Sequence, residues 1–320
     1  MQSVFLAKVV ERAESLGADR SEVLRGSMLR EEVLTEDSTP VPSACVYLAS
    51  SRAADLSGNS YICAELAEEY DWRTGFVLPP SLGDYPSLGD MLLAWLQFAE
   101  SVQVSMRYRL TVEGRQAELS GRRLVRASQP PGQADAWDIA TWVQMLQDLL
   151  GPAWQSSAVE VAAFDPEAIP SRLVPANNVK KSDAWGLSIT FPSAWLMIRN
   201  RRPHTGKHLD LDPAATAIDP SRLFETLDYA SWPGTDGFAK FIGMHPKAFQ
   251  RMLAAEGANC TALVDAAKSR LAAKWIADPD IQFKSIAVRL GYRNASAFTR
   301  ACHRWFGCAP EELRARSGRG

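Results

Sequence analysis

The stretch from Phe283 to Phe306 carries two helical patterns on either side of one glycine, and few folds accept that arrangement. Phe283, Ile286, Ala287 and Leu290 recur at spacings of three and four, which places them on one face of a helix. Gly291 follows at once and suits the left-handed backbone that closes a helix. Asn294 then offers a side-chain oxygen to cap a second helix that runs to about Phe306. Around that helix Phe298, Ala301, Cys302 and Trp305 fall on one side, and Ser296, Thr299, Arg300 and His303 fall on the other. One face is therefore apolar, and the opposite face is short, polar and cationic. Two helices joined by a tight turn, the second with such a face, match helix-turn-helix geometry. A helix fits the major groove of DNA, where arginine can bond bidentately to guanine and hydroxyls can bond to base edges.

The same pattern occurs upstream. Gly243-Met244-His245-Pro246 reads as a turn into a helix with proline at its first position. Phe249, Met252 and Leu253 are expected to face a core, and Lys247, Gln250 and Arg251 to face out together. The two polar faces, centred on Lys247 and Ser296, lie 49 residues apart. A helix carrying Leu263, Ala267, Leu271 and Trp275 on one face joins them, and Asp278-Pro279 ends it. Two such faces would reach successive major grooves roughly 34 Å apart. Charge points the same way. From Ser221 onward there are fifteen lysines and arginines against nine acidic residues, a net of +6, while the rest of the chain carries −8. A basic domain beside an acidic body implies that only the former meets a polyanion.

The preceding two hundred residues change period repeatedly. Leu6, Val9, Val10, Ala13 and Leu16 mark an amphipathic helix, and Arg30 to Pro42 reads as a polar loop. Helices are expected from Ser43, and from Ser87, where Asp90 three residues on completes a variant capping box. Leu88, Met91, Leu92, Trp95 and Ala99 form the apolar stripe of the latter. Val104, Met106, Tyr108 and Leu110 alternate with polar residues as a half-buried strand does, and Glu113-Gly114 turns it into a partner containing Ala117 and Leu119. Pro130-Pro131-Gly132 breaks the chain before a helix carrying Ile139, Trp142, Val143, Leu146, Leu149 and Leu150, which Gly151-Pro152 closes. Strands are expected at Val159 to Ala163 and at Leu187 to Phe191. The polar, proline-flanked run from Asn200 to Pro213 is the natural linker.

The expected fold class is α+β: a mixed N-terminal domain over residues 1–205, a linker over 206–220, and an all-α domain with two helix-turn-helix motifs over 221–320. No apolar run approaches the 18 residues or so of a membrane span, and the N-terminus lacks a basic region before its apolar residues. Five scattered cysteines without a C-x-x-C pair read as free thiols. A cytoplasmic chain is expected, with no membrane partner.

Ile286-Ala287-x-x-Leu290-Gly291-Tyr292-x-Asn294-x-Ser296-Ala297-Phe298-x-Arg300, followed by Arg304-Trp305-Phe306-Gly307-x-x-Pro310-x-x-x-Arg314, closely resembles the DNA-binding domain of AraC/XylS-family transcription regulators. Gly243 to Gly257 is similar to that family's first helix-turn-helix, and the likeness spans about 238 to 314. It implies that Lys247, Gln250 and Arg251 meet bases from the first recognition helix. It implies that Ala295, Ser296, Thr299 and Arg300 do so from the second, with Arg304 beside them. There are departures. His245 stands where a capping serine is usual, Cys302 where a phenylalanine is usual, and Ala295 offers no hydrogen bond. Trp232 to Gly237 is poor in helix formers, which weakens the expected scaffold helix of the first unit. The N-terminal half resembles more loosely the sensor domain of the arabinose-binding or ornithine-utilisation-type subgroup, on element order, the Trp137 and Trp142 helix, and Phe191-Pro192-x-x-Trp195-Leu196. That likeness implies a small-molecule effector and a homodimer, with RNA polymerase as a further partner if the protein activates.

Other candidates weigh less. Arg122 and Arg126 at the end of the hairpin resemble the arginine pair of PilZ-type modules and are the candidate effector contacts, although a charged edge strand explains them more simply. His204, His208, Asp210 and Asp212 have metal-ligand spacing but sit in the linker, so no metal is expected. No cofactor motif occurs, and four histidines leave few general bases. The expected function is a ligand-controlled, sequence-specific transcription regulator without catalytic residues. The alternative is an enzyme or protein-interaction module in the N-terminal half that carries an accessory DNA-binding tail.

Overall fold

A computed structural model describes residues 3–36, 39–72, 85–102, 105–199 and 220–317. The architecture is α+β and divides into two compact units. The linker, the His204 to Asp212 cluster and Val104 lie outside the described residues.

Along the chain come α1 (Ser3–Ser15), α2 (Arg20–Leu24), α3 (Ser43–Ser57), α4 (Ile62–Glu69) and α5 (Leu88–Val102). The hairpin β1 (Met106–Glu113) and β2 (Gln116–Arg123) follows, then α6 (Gly132–Leu150), β3 (Glu160–Ala163), β4 (Val179–Lys181) and β5 (Gly186–Pro192). The rest is helical: α7 (Pro220–Glu225), α8 (Gly234–Phe241), α9 (Pro246–Ala255), α10 (Cys260–Ala277), α11 (Phe283–Arg289), α12 (Ala295–Phe306) and α13 (Pro310–Ser317). Leu6, Val9, Val10 and Ala13 of α1 are fully buried, whereas Leu16 lies past the helix end and is exposed.

One unit comprises Leu6–Val23 and Val46–Ala217. Its sheet has the order β1-β2-β5-β3-β4 and is antiparallel except for the β3–β4 pair. Alternation dictates which side is buried. Ala117 and Leu119 of β2, Leu187, Ile189 and Phe191 of β5, and Val161 and Ala163 of β3 pack into one core with α5 and α6. The stripe of α5 is buried as its spacing requires, and Ser87 caps it: the Asp90 N–H donates to Ser87 Oγ at 3.2 Å. Gly114 turns the hairpin with φ +60°, and Gly151 ends α6 with φ +51°. α4 and β4 went unforeseen. α4 is held on α6 through Gln133, which accepts from the Cys63 N–H at 3.3 Å and donates to the Ser60 carbonyl at 2.8 Å.

A charged cluster interrupts this apolar layer. The Arg123 guanidinium, with 3% of its side chain exposed, is ion-paired with fully buried Asp135 and donates to Tyr47 Oη at 3.2 Å. Asp135 also accepts from the Phe164 N–H at 3.0 Å, so one carboxylate ties β2 and α6 to the end of β3. Asp138, one turn along α6, keeps part of its surface open to solvent. Burial first, and the like charge of Asp135 second, push its carboxyl up to about 7.

The other unit comprises Met1–Phe5, Leu24–Cys45 and Ile218–Gly320. Two segments from earlier in the chain group with the C-terminal helices in it. Arg30 joins them. Its side chain is buried, donates from Nε to the Glu225 carbonyl at 2.6 Å, pairs with Glu36, and lies over the Trp275 ring. The Arg30 N–H donates to the Thr226 carbonyl, and Leu29 bridges Leu227. The segment read as a polar loop also contains a 3-10 turn over Glu31–Thr35, whose Val33 is fully buried.

The Asp138 carboxyl yields a pH prediction. An unfolded aspartate titrates near 3.9, so from about pH 4 to 7 the unfolded chain is ionised while the folded chain holds the proton. Stability should therefore fall as pH rises through that window and level off above it. Asp138→Asn should remove this component, seen as a flatter pH dependence of the denaturant midpoint between pH 5 and 8. Identical pH profiles for the two proteins would contradict the assignment.

Candidate nucleic-acid interface

Two helix pairs in the C-terminal unit end their first helix the same way. Gly243 (φ +83°) and Gly291 (φ +72°) adopt left-handed backbone. The Gly243 N–H donates to the Lys240 carbonyl and the Met244 N–H to Ala239. The Gly291 N–H donates to Val288 and the Tyr292 N–H to Ala287, which is the same offset of three and five residues. This double bond satisfies the last carbonyls of a helix and reverses the chain. The two pairs also agree in sequence at Ala239 and Ala287 before the glycine and at Ala248-Phe249 and Ala297-Phe298 after it, with Arg251 and Arg300 two residues further on.

The second helix of each pair is then capped. At α12 the Asn294 side chain accepts from the Ala297 N–H at 2.9 Å, as expected. At α9 the imidazole of His245 does the work of the usual serine, its Nδ1 accepting from the Lys247 N–H at 3.3 Å. Pro246 occupies the first helical position. α8 also forms, although its sequence is weak in helix formers. Aromatic packing holds it: Phe238 lies 5.2 Å from Trp232, 5.6 Å from Phe224 and 5.8 Å from Phe249, centroid to centroid.

Burial sorts the expected reading residues. On α9, Lys247, Gln250 and Arg251 are all exposed, and Phe249 and Leu253 are buried. Met252 departs from expectation: it is 45% exposed and does not join the core. Phe249, one turn before Leu253, meets Phe238 of α8 at 5.8 Å between ring centroids. On α12, Phe298, Ala301 and Cys302 are buried, and Ala295, Ser296, Arg300 and His303 are exposed. Thr299 is half-buried and its hydroxyl donates back to the Ala295 carbonyl at 3.1 Å. Lys247, Gln250, Arg251 and Arg300 make no hydrogen bond or ion pair from their side chains among the described residues. Arg304 is different. It donates to Asp265 of α10 at 2.6 Å and lies over the Trp305 ring.

The scaffold below these helices rests on residues that pattern alone did not single out. Asp265 also accepts from Trp305 Nε1 at 2.9 Å, so one carboxylate ties α12 to α10. Lys268 stands over both the Tyr229 and Tyr292 rings, and burial lowers its pKa. Arg314 spans from α13 to the carbonyls of Ile276 and Ile281 at 2.7 and 2.6 Å and covers the Phe283 ring. Gly291 sits where a Cβ would lie 2.3 Å from the Tyr229 carbonyl oxygen. Tyr229 is itself buried and donates to the Phe224 carbonyl at 2.7 Å. All five cysteines are buried free thiols, and burial raises Cys302 to about 11, which leaves it unreactive at neutral pH.

In the N-terminal unit the candidate effector contacts Arg122 and Arg126 are exposed, and Arg122 stacks on Trp185 at 5.0 Å. Their neighbour Arg123 points to the other side of the sheet, into the ion pair described above. A separate cavity of about 180 Å³ lies between α5 and β1, lined by Leu93, Leu96, Gln97, Glu100, Met106, Arg107 and Tyr108. No helix among the described residues is long and apolar enough to cross a membrane.

Comparison with known proteins matches both halves. Residues 238–316 match the family model of a helix-turn-helix domain, and residues 17–174 match that of the N-terminal arabinose-binding domain of AraC transcription regulator. The helix-turn-helix-type transcriptional regulator VirS of Mycobacterium tuberculosis is 42% identical over 83 residues, 26% of this chain and 24% of that protein. An uncharacterised helix-turn-helix-type transcriptional regulator of the same organism is 35% identical over 97 residues, 30% of this chain and 28% of that one. The matched segments thus span about a quarter of the length of these relatives. Among solved structures, the transcriptional regulator CdpR of Pseudomonas aeruginosa aligns over 92% of this chain and 96% of its own, at 16% identity and a TM-score of 0.37.

The turn at Gly291 gives a direct test. A side chain there meets both strained backbone and the Tyr229 carbonyl. Gly291→Ala should destabilise the chain by at least about 1–3 kcal/mol, the cost of one non-glycine residue held in left-handed backbone. Gly17→Ala is the control, because a Cβ there, at similar φ, meets nothing within 4 Å. Equal losses from the two, in denaturant unfolding, would show that the close approach to Tyr229 is unimportant.

Proposed function

We propose, from the premise that this chain belongs to the AraC family of transcription regulators, that it binds DNA sequence-specifically through α9 and α12 and that its N-terminal unit senses a small molecule. The observation that carries the reading is the repeated glycine turn, which leaves two polar helix faces exposed on one basic unit. On α9 the reading residues are Lys247, Gln250 and Arg251. On α12 they are Ala295, Ser296, Thr299 and Arg300. Glutamine pairs with adenine and arginine with guanine in the major groove, and Ala295 offers at most an apolar contact to a thymine methyl. Arg304 joins this set only by leaving Asp265, so it is the weakest base-reading member. The two helices correspond to the two helix-turn-helix motifs, with α10 as the spacer between them.

The proposal extends to partners. The DNA is double-stranded and read in the major groove. Dimerisation and contact with RNA polymerase, in the case of an activator, complete the expected assembly. The effector is a small molecule held by the N-terminal unit, for which the cavity between α5 and β1 and the exposed Arg122 and Arg126 are separate candidates.

Arg300→Ala should weaken binding to a site selected from random DNA by about 1–3 kcal/mol and relax preference at one base pair. Fluorescence anisotropy on that site and its single-base variants measures both. An equal loss on every sequence would make Arg300 a phosphate contact.

For the sensor, thermal unfolding of the full chain against sugars, amino acids, aromatic acids, fatty acids and cyclic dinucleotides should yield a stabilising ligand. A ligand at 100 times its Kd adds about 2.7 kcal/mol to the folded state. Silence across the whole panel would count against the sensing role.

A further inference from the structure

The sheet of the N-terminal unit has two unlike edges. β4 is three residues long and two of them are Lys180 and Lys181, a short charged edge of the kind that resists pairing. β1 is eight residues long and, among the described residues, hydrogen-bonds on one side only, to β2. The direction of its backbone groups follows from the ladder. The Leu124 N–H donates to the Ser105 carbonyl, and the β1–β2 register pairs Glu113 with Gln116. The odd-numbered residues of β1 therefore direct their backbone groups to β2. Met106, Tyr108, Leu110 and Val112 direct theirs to the open edge. Apolar surface lies beside that edge: Val112 and Leu93 of α5 are each 54% exposed.

Charge selects what fits there. Let a second β1 approach antiparallel about a two-fold axis normal to the sheet. Side chains must stay on their own face, so the axis falls on a residue of β1 and registers differ by whole residues along it. With the axis at Arg109, that arginine faces its own copy. With the axis at Thr111, Arg109 faces Glu113 of the partner subunit, but Arg107 faces Arg115 of the partner subunit, so each opposite-charge pair is offset by a like-charge one. With the axis at Leu110, Arg107 faces Glu113 of the partner subunit, twice by symmetry, and Arg109 faces Thr111 of the partner subunit. On the inner face Leu110 meets its copy and Tyr108 meets Val112 of the partner subunit, which covers the exposed valine. Opposite charges directly across a pair stabilise and like charges destabilise. In this register the arginine–glutamate pairs are the non-hydrogen-bonded ones, where side chains stand closest.

We propose that the β1 edge is a homodimer interface, in which a second copy of this chain adds its own β1 antiparallel about Leu110 and joins the two five-stranded sheets. This rests on the reading of the protein as a dimeric regulator and assigns the surface that makes the dimer.

The test uses the full chain. Sedimentation equilibrium should give a mass twice the 35.2 kDa of one chain. Arg107→Glu alone and Glu113→Arg alone each place like charges across both pairs and should weaken the dimer on the order of tenfold or more. The double variant carries both new side chains in swapped order and should recover the dimer, which misfolding could not produce. Leu110→Cys should form a disulfide-linked dimer under mild oxidation, because directly opposed Cα atoms about 5.5 Å apart lie within disulfide reach. A dimer indifferent to the single variants and to Leu110→Cys would overturn the edge and leave the dimeric reading intact. A monomer at all concentrations would overturn both.

Discussion

A guanidinium cannot be withdrawn from water without partners, and each compact unit of this chain is organised around one that has been. Arg123 in the N-terminal unit and Arg30 in the C-terminal one are both nearly inaccessible. Leaving such a charge unpaired costs several kcal/mol, so the folded arrangement must bring the elements that supply its partners to it. For Arg123 these are α6 through Asp135 and α3 through Tyr47. For Arg30 they are the Glu225 carbonyl, Glu36 and the face of Trp275. Each satisfies the cation incompletely, since one terminal nitrogen of each arginine lacks a hydrogen bond. Buried ion pairs of this kind do little for net stability against an apolar replacement. Their effect is on which arrangement is allowed.

The C-terminal unit then converts that scaffold into two presented faces. Gly243 and Gly291 reverse the chain with the same hydrogen-bond offsets, and a cap starts the next helix in each case. Asp265 and Lys268 on α10, together with Arg314, fix α11, α12 and α13 around a small aromatic core. Several scaffold cations, among them Lys268, Arg270, Lys274, Arg289 and Arg314, are engaged in ion pairs, hydrogen bonds or cation–aromatic contacts. Lys247, Arg251 and Arg300 are the cations left over on the two exposed faces, which is why the net charge of −2 for the whole chain says little about what the unit can bind.

Much of this was legible in the sequence because periodicity reports local structure. The stripes of α5, α6, α10 and α12, the hairpin at Gly114 and the cap at Asn294 all follow from spacing. What escaped had causes at long range. Arg30 lies in a stretch of polar composition, and although Glu36 is close by, nothing near it shows that the Glu225 carbonyl and the Trp275 ring complete its surroundings. α8 has poor intrinsic propensity and forms because three aromatic rings surround Phe238. His245 looked like a lost cap, yet imidazole Nδ1 accepts a hydrogen bond as a serine hydroxyl does. Met252 has helical spacing for burial, yet it is 45% exposed while its neighbours Phe249 and Leu253 are buried. β4 is three residues long, below the length at which alternation can be read.

The central claim is that two helix faces of one unit read successive major grooves. Methylation protection on a DNA site selected with the full chain measures this most directly, because guanine N7 lies in the major groove. Two clusters of protected guanines about one helical turn apart, 10–10.5 base pairs, are predicted. A single cluster, or protection confined to the minor groove, would contradict the account.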